Sequence, residues 1–114
     1  MSPSTATRNR IRDLNDAFRS TGPTLRGRWV LTRGVHEQGA DFITDAVDLI
    51  RQFDAFEGAE DPYGEHDFGS IKVHGQHLFW KIDYYDLTMS YGSENPANPA
   101  VTTRILTVML ASEY

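Results

Sequence analysis

The sequence predicts a single α+β domain over residues 1–114, with about three helices packed on a small antiparallel sheet around a central β-hairpin. Three observations carry this reading. Apolar residues recur at helical spacing in two N-terminal segments, two strand-like runs flank His74-Gly75, and a third periodic segment begins at Asn98-Pro99. The predicted order is α-β-α-β-β-α.

Ile11, Leu14 and Phe18 share one helical face, so residues from about Thr7 to Arg19 read as an amphipathic helix. Gly22-Pro23 stops it, since proline cannot continue a helix. Arg8, Arg12 and Arg19 form a basic stripe beside the apolar face. Residues 1–6 read as a flexible arm. Arg28 to Val35 is rich in β-branched and aromatic residues and reads as a strand. Ile43, Ala46, Val47 and Ile50 follow i, i+3, i+4, i+7, which predicts a second helix from about Asp41 to Phe53, with Asp41 as N-cap.

The clearest local signal is the hairpin. Phe68–Val73 and Gln76–Tyr85 read as strands joined by a two-residue turn at His74-Gly75. Val73 then pairs with Gln76, Ile71 with Leu78, Gly69 with Trp80 and Asp67 with Ile82, giving a core face. Lys72–His77, Ser70–Phe79, Phe68–Lys81 and His66–Asp83 make the opposite, mixed face. Downstream, Asn98-Pro99 reads as an N-cap followed by proline at the first helical position, opening a buried helix through Val101, Ile105, Val108 and Met109. The β-branched content of that segment makes a final strand the alternative.

Composition narrows the function classes. The chain has no cysteine, which excludes disulfides and thiolate chemistry. It has no apolar run near the roughly 20 residues that span a bilayer, and no apolar stretch at its start that would read as a signal peptide. A cytoplasmic protein without membrane contact is expected. The net charge of −5 hides an asymmetry. Seven arginines against two acids leave residues 1–34 at +5, and residues 35–114 carry −10. Such polarity steers partners unless the two halves neutralise one another within the fold.

The strings DPYGEHDFG (Asp61–Gly69), FWKIDYYD (Phe79–Asp86) and NPAVTTRILTVMLASEY (Asn98–Tyr114), with IRDLNDAFR (Ile11–Arg19), resemble a family of small bacterial proteins frequent on plasmids and other mobile elements. That family is known only as a domain of unknown function. The resemblance spans nearly the whole chain and brings no activity, substrate or catalytic residue with it. It implies a context in which accessory genes encode inhibitors of host defence, regulators or small enzymes.

Three features are candidates for function. The hairpin register sets His66 opposite Asp83 with Lys81 beside them, a trio able to act as a general base with its orienting carboxylate. Its bland counterpart is a cross-strand polar network at the sheet rim. From Gln52 to Ile71 six acids, among them Asp61, Glu65 and Asp67, run without a lysine or arginine. Such a strip resembles a row of phosphates, though it is also what a solvated acidic loop looks like. Ten of the thirteen aromatics lie at or after Phe53, and Phe68, Phe79 and Tyr85 fall on the mixed face, where they stack bases or anchor a protein unless a helix covers them. Arg104 is a candidate anion-binding residue. His74 in the turn and His77 just beyond it are expected to be exposed, and His36, near a strand end, has no spaced partner. No metal site and no cofactor is expected.

The expectation is a small interaction protein that binds and inhibits a host nucleic-acid-handling defence complex (CRISPR or restriction) through Asp61, Glu65, Asp67, Phe68, Phe79, Tyr85 and Arg104. The alternative is a small hydrolase or nuclease using His66, Asp83 and Lys81. Direct nucleic-acid binding is weakened by the acidity of the aromatic segment.

Overall fold

The computed structural model describes residues 4–21, 26–58 and 60–114. It has α1 (Thr5–Thr21), β1 (Gly27–Leu31), a one-turn α2 (Arg33–His36), α3 (Ala40–Arg51), β2 (Phe68–Val73), β3 (Gln76–Tyr85) and β4 (Thr103–Leu110). Short 3-10 turns at Pro99–Val101 and Ala111–Glu113 bracket β4. Three helices and a four-stranded sheet make an α+β domain. Among the described residues, no helix is long and apolar enough to cross a membrane.

Helix α1 begins earlier than its apolar pattern suggests. Ser4 Oγ accepts the Thr7 N–H at 3.1 Å, capping the helix so that Thr5 and Ala6, expected in an arm, lie within it. The Gly22-Pro23 stop lies outside the described residues. The strand expected through Val35 ends at Leu31, and Arg33–His36 coil into α2 instead. The cause is distant in sequence: Glu113 accepts from Thr32 Oγ1 at 2.6 Å and from Gly34 N at 3.0 Å, satisfying the start of that turn. In α3, Gly39 rather than Asp41 is the N-cap, at a φ of 94° that suits glycine, and Asp41 sits in the first turn.

The hairpin keeps the register read from its turn. Phe68↔Lys81, Gly69↔Trp80, Ile71↔Leu78 and Val73↔Gln76 are partners, and His74 and Gly75 both have positive φ, as a two-residue turn with right-handed twist requires.

The C-terminal segment is a strand, not the expected helix. Asn98 does cap a turn, accepting the Ala100 N–H at 3.0 Å with Pro99 at the first position. That turn lasts only through Val101. The β-branched run after it then pairs on both sides, antiparallel to β3 and parallel to β1, in the order β1-β4-β3-β2. The sheet is therefore mixed rather than antiparallel.

All three helices lie on one face of this sheet. Phe18, Val35, Phe42, Ala46 and Ile50 pack against Val73, Leu78, Trp80, Ile82, Leu106 and Val108. Burying each large apolar side chain contributes about 1.5–3 kcal/mol. Because β4 is a central strand, the expected C-terminal helix does not lie on the other face; there, among the described residues, Tyr114 after the Ala111–Glu113 turn packs against Phe68 and Phe79, and Ile105 and Met109 are buried.

Candidate functional site

Strand alternation sends Phe79, Lys81, Asp83 and Tyr85 away from the core, opposite Met109, Thr107, Ile105 and Thr103 of β4. Phe68, Ser70 and Lys72 of β2 extend this outer face. Phe68 and Phe79 stand 5.4 Å apart between ring centroids, and Tyr114 lies against both, at 6.0 and 5.1 Å. Tyr114 itself is 77% exposed. Beside this cluster Lys81 Nζ pairs with Asp83 Oδ2 at 3.2 Å, both half-exposed. The His77 ring meets Phe79 at 5.4 Å and bonds Ser70 Oγ. The result is a partly exposed aromatic platform with a charged margin on the outer face of the sheet.

The helix side carries a different set of polar groups. His66 has a φ of 55°, which ends the strand pattern two residues before Phe68 and turns its ring away from Asp83. Its Nδ1 lies 2.9 Å from Asp16 Oδ1 on α1, its Nε2 3.6 Å from Asp61, and its ring stacks on Phe56 with centroids 3.7 Å apart. The expected His66–Asp83–Lys81 trio is thus divided: Lys81 and Asp83 pair on the outer face, and His66 joins Asp16 and Asp61 under α1. Among the described residues, no three His, Asp or Glu side chains converge to hold a metal ion.

The acidic strip is divided as well. Asp54, Glu57 and Glu60 are exposed, but Asp61 accepts the His66 N–H at 3.0 Å and has a nearly buried carboxylate. Asp67 faces inward and accepts the Tyr84 hydroxyl at 3.2 Å. Burial raises the Asp67 carboxyl above its ordinary value, opposed by that hydrogen bond. Glu65 is raised by burial and then by the charge of Asp67. Tyr84 is driven upward by its own burial and by Asp67.

Arg104, expected to bind an anion, is 1% exposed and belongs to the core. Its Nε donates to Asn15 Oδ1 at 2.8 Å, its Nη2 donates to the Pro96 carbonyl at 2.6 Å, and its guanidinium lies over the Tyr84 ring at 5.3 Å. Burial lowers its proton affinity, and the neighbouring Tyr84 offsets part of that.

Of the expected contact residues, then, the structure brings Phe68 and Phe79 together on the outer face, with Tyr85 on the same face at the far end of β3. It places Asp61, Glu65, Asp67 and Arg104 on the other side, three of them within a buried or half-buried network. Residues 31–113 match the model of a family described as protein of unknown function, DUF3768. The chain belongs to that family. No curated protein and no solved structure gives a match. The DUF3768 span holds α3, the hairpin and β4, and with them every outer-face aromatic except Tyr114.

Sequence reasoning missed Asn15, Asp16, Phe56 and Tyr114. Asn15 carried a usable signal: it follows Ile11 by four residues, on the apolar stripe of α1, where a polar side chain needs a buried partner. Tyr114 carried none, because its role depends on β4 being a strand.

Proposed function

We propose that this chain is an interaction protein that docks a protein partner on the outer face of its sheet, through Phe68, Phe79 and Tyr114 with Lys81, Asp83 and Tyr85 at the margin. The observation that supports this most is the layering: three helices pack on one face, and on the other Phe68 and Phe79 cluster partly exposed beside the 77% exposed Tyr114. Rigid aromatics with a charged rim are the usual energetic centre of a protein interface.

The partner class we favour is a host nucleic-acid-handling defence complex, CRISPR or restriction, which the chain binds and inhibits. The excess of −10 over residues 35–114 favours a basic partner of that kind. Of the acidic strip, Asp54, Glu57 and Glu60 are exposed and available for steering, while Asp61 and Asp67 serve the fold.

Affinity purification from a host lysate, with mass spectrometry, tests the reading. The wild-type chain recovers a specific nucleic-acid-handling complex, and Phe79→Ala with Lys81→Glu loses it. Equal recovery by both proteins, or recovery of no specific partner, overturns it. Restored interference by that complex when only the double variant is supplied separates inhibition from mere binding.

A further inference from the structure

Strand β2 is an edge of the sheet. The two-residue turn determines which of its backbone groups are free. Val73 and Gln76 flank the turn and exchange both hydrogen bonds, and every second residue does the same. Ile82 N donating to Asp67 O at 2.8 Å continues that alternation past the end of the strand. The N–H and C=O of Phe68, Ser70 and Lys72 therefore point off the sheet, and no described residue bonds them.

Beside this edge is a cavity of about 300 Å³, lined by Asp45, Asp48 and Leu49 of α3 and by Lys72, Val73 and His74. The helical wall is acidic. Asp41, Asp45 and Asp48 fall at i, i+4 and i+7 and are all exposed. Asp45 is tied to His74 Nε2 at 2.7 Å, whereas Asp48 has no ion pair among the described residues. Leu49, 44% exposed, is the apolar point of the wall. Lys72 borders the same cavity from the strand edge, but Asp45 and Asp48 outnumber it and leave the wall acidic.

From these observations we infer that the β2 edge is a docking site for an extended, basic segment of a partner protein, added to the sheet as a further strand. The free N–H and C=O groups of Phe68, Ser70 and Lys72 supply the main-chain bonds. Side chains of the added strand alternate, so every second residue faces α3, where lysine or arginine meets Asp45 and Asp48 and an apolar residue meets Leu49. A second copy of this chain fits poorly, because pairing β2 with β2 would bring two acidic α3 walls together, and Lys72 is the kind of residue that discourages flat self-pairing. This site adjoins the outer face at Phe68 but uses that residue's backbone and not its ring, and it stands whether or not the outer face binds a partner.

The probes are capped peptides of about eight residues, long enough to span an edge strand. One alternates Lys and Val, one alternates Glu and Val, and one is the Lys–Val peptide with prolines replacing two valines. Each is titrated into the full chain at low ionic strength and followed by amide NMR and hydrogen exchange. The Lys–Val peptide is expected to slow exchange at Phe68, Ser70 and Lys72 and to bind about tenfold more tightly than the Glu–Val peptide, a preference that falls as salt screens it. The proline peptide gives no such protection, since it lacks the donors. Asp48→Lys, an exposed change that leaves the Asp45–His74 contact in place, reverses the charge preference. Equal binding of the acidic peptide, no protection of these amides by the Lys–Val peptide at millimolar concentration, or a dimer of the free chain protecting the same amides overturns the inference.

Discussion

Arg104 and Asn15 form a buried pair in which the arginine Nε donates to the asparagine Oδ1 at 2.8 Å. The cation sits near the start of the central strand β4, and no described carboxylate pairs with it. Its charge is met by Asn15, the Pro96 carbonyl and the face of Tyr84. Asn15 in turn donates to the Glu65 carbonyl at 2.9 Å and to the Tyr84 hydroxyl at 2.8 Å. One helical residue thus joins α1, the segment before β2, β3 and β4.

Asn15→Leu is expected to cost about 2–4 kcal/mol, since it strands the buried Arg104 Nε and takes the amide donor from the Glu65 carbonyl, while the Tyr84 hydroxyl keeps only Asp67. Urea denaturation measures it. Arg104→Met with Asn15→Leu recovers part of the loss, because no unpaired charge remains.

Gly69 lies under the Trp80 indole. A Cβ placed there would come within 2.5 Å of Trp80 Cε2 and strike the indole nitrogen as well. Gly69→Ala is expected to destabilise by about 1–3 kcal/mol through overpacking. A fall in thermal midpoint, with the hairpin register retained by NMR, checks this.

His66 is read as a structural clamp between α1 and the segment preceding β2. His66→Ala loses the stack on Phe56 and the contacts to Asp16 and Asp61, which together cost about 1–2 kcal/mol. Partner recovery by the folded variant should equal that of the wild type. Lost partner binding at unchanged stability would show instead that this side of the molecule is functional.

Glu113 gives the fold a pH dependence. Its carboxylate accepts from Thr32 Oγ1, Leu110 N and Gly34 N, and these bonds, the Thr32 one foremost, hold it below its ordinary value of 4.5. A depressed folded-state value means stability present above 4.5 and lost as pH falls through the lower one. The stability gap between wild type and Glu113→Gln is therefore expected to be widest at neutral pH and to close on acidification. Thermal melts across that range measure it, and a gap that widens in acid would contradict the assignment.

Much of the fold was legible because it is local. The His74-Gly75 turn set the hairpin register, and with it the division of Trp80 from Phe79 and Ile82 from Lys81. Helices α1 and α3 were visible in their apolar spacing. The last segment was not, because Asn98-Pro99 is a true helix-start signal that acts for one turn, and only pairing with β1 and β3 makes Thr103–Leu110 a strand. The proposed site was half legible for the same reason. Phe68 and Phe79 followed from the register, whereas Tyr114 needed β4 in place. His66 was set opposite Asp83 by extending that register past Phe68, where its positive φ breaks the pattern. Asp67 and Arg104 read as surface charges because nothing local announces Tyr84 or Asn15 as their partners.

Site-specific photo-crosslinking in a host lysate tests the outer-face account most directly. A photoreactive phenylalanine analogue at position 79 is compared with the same analogue at position 20, exposed on α1. The account predicts a discrete crosslinked partner from position 79 and none from position 20. A partner captured only from position 20, or none from position 79 while the intact chain still co-purifies with its complex, would contradict it.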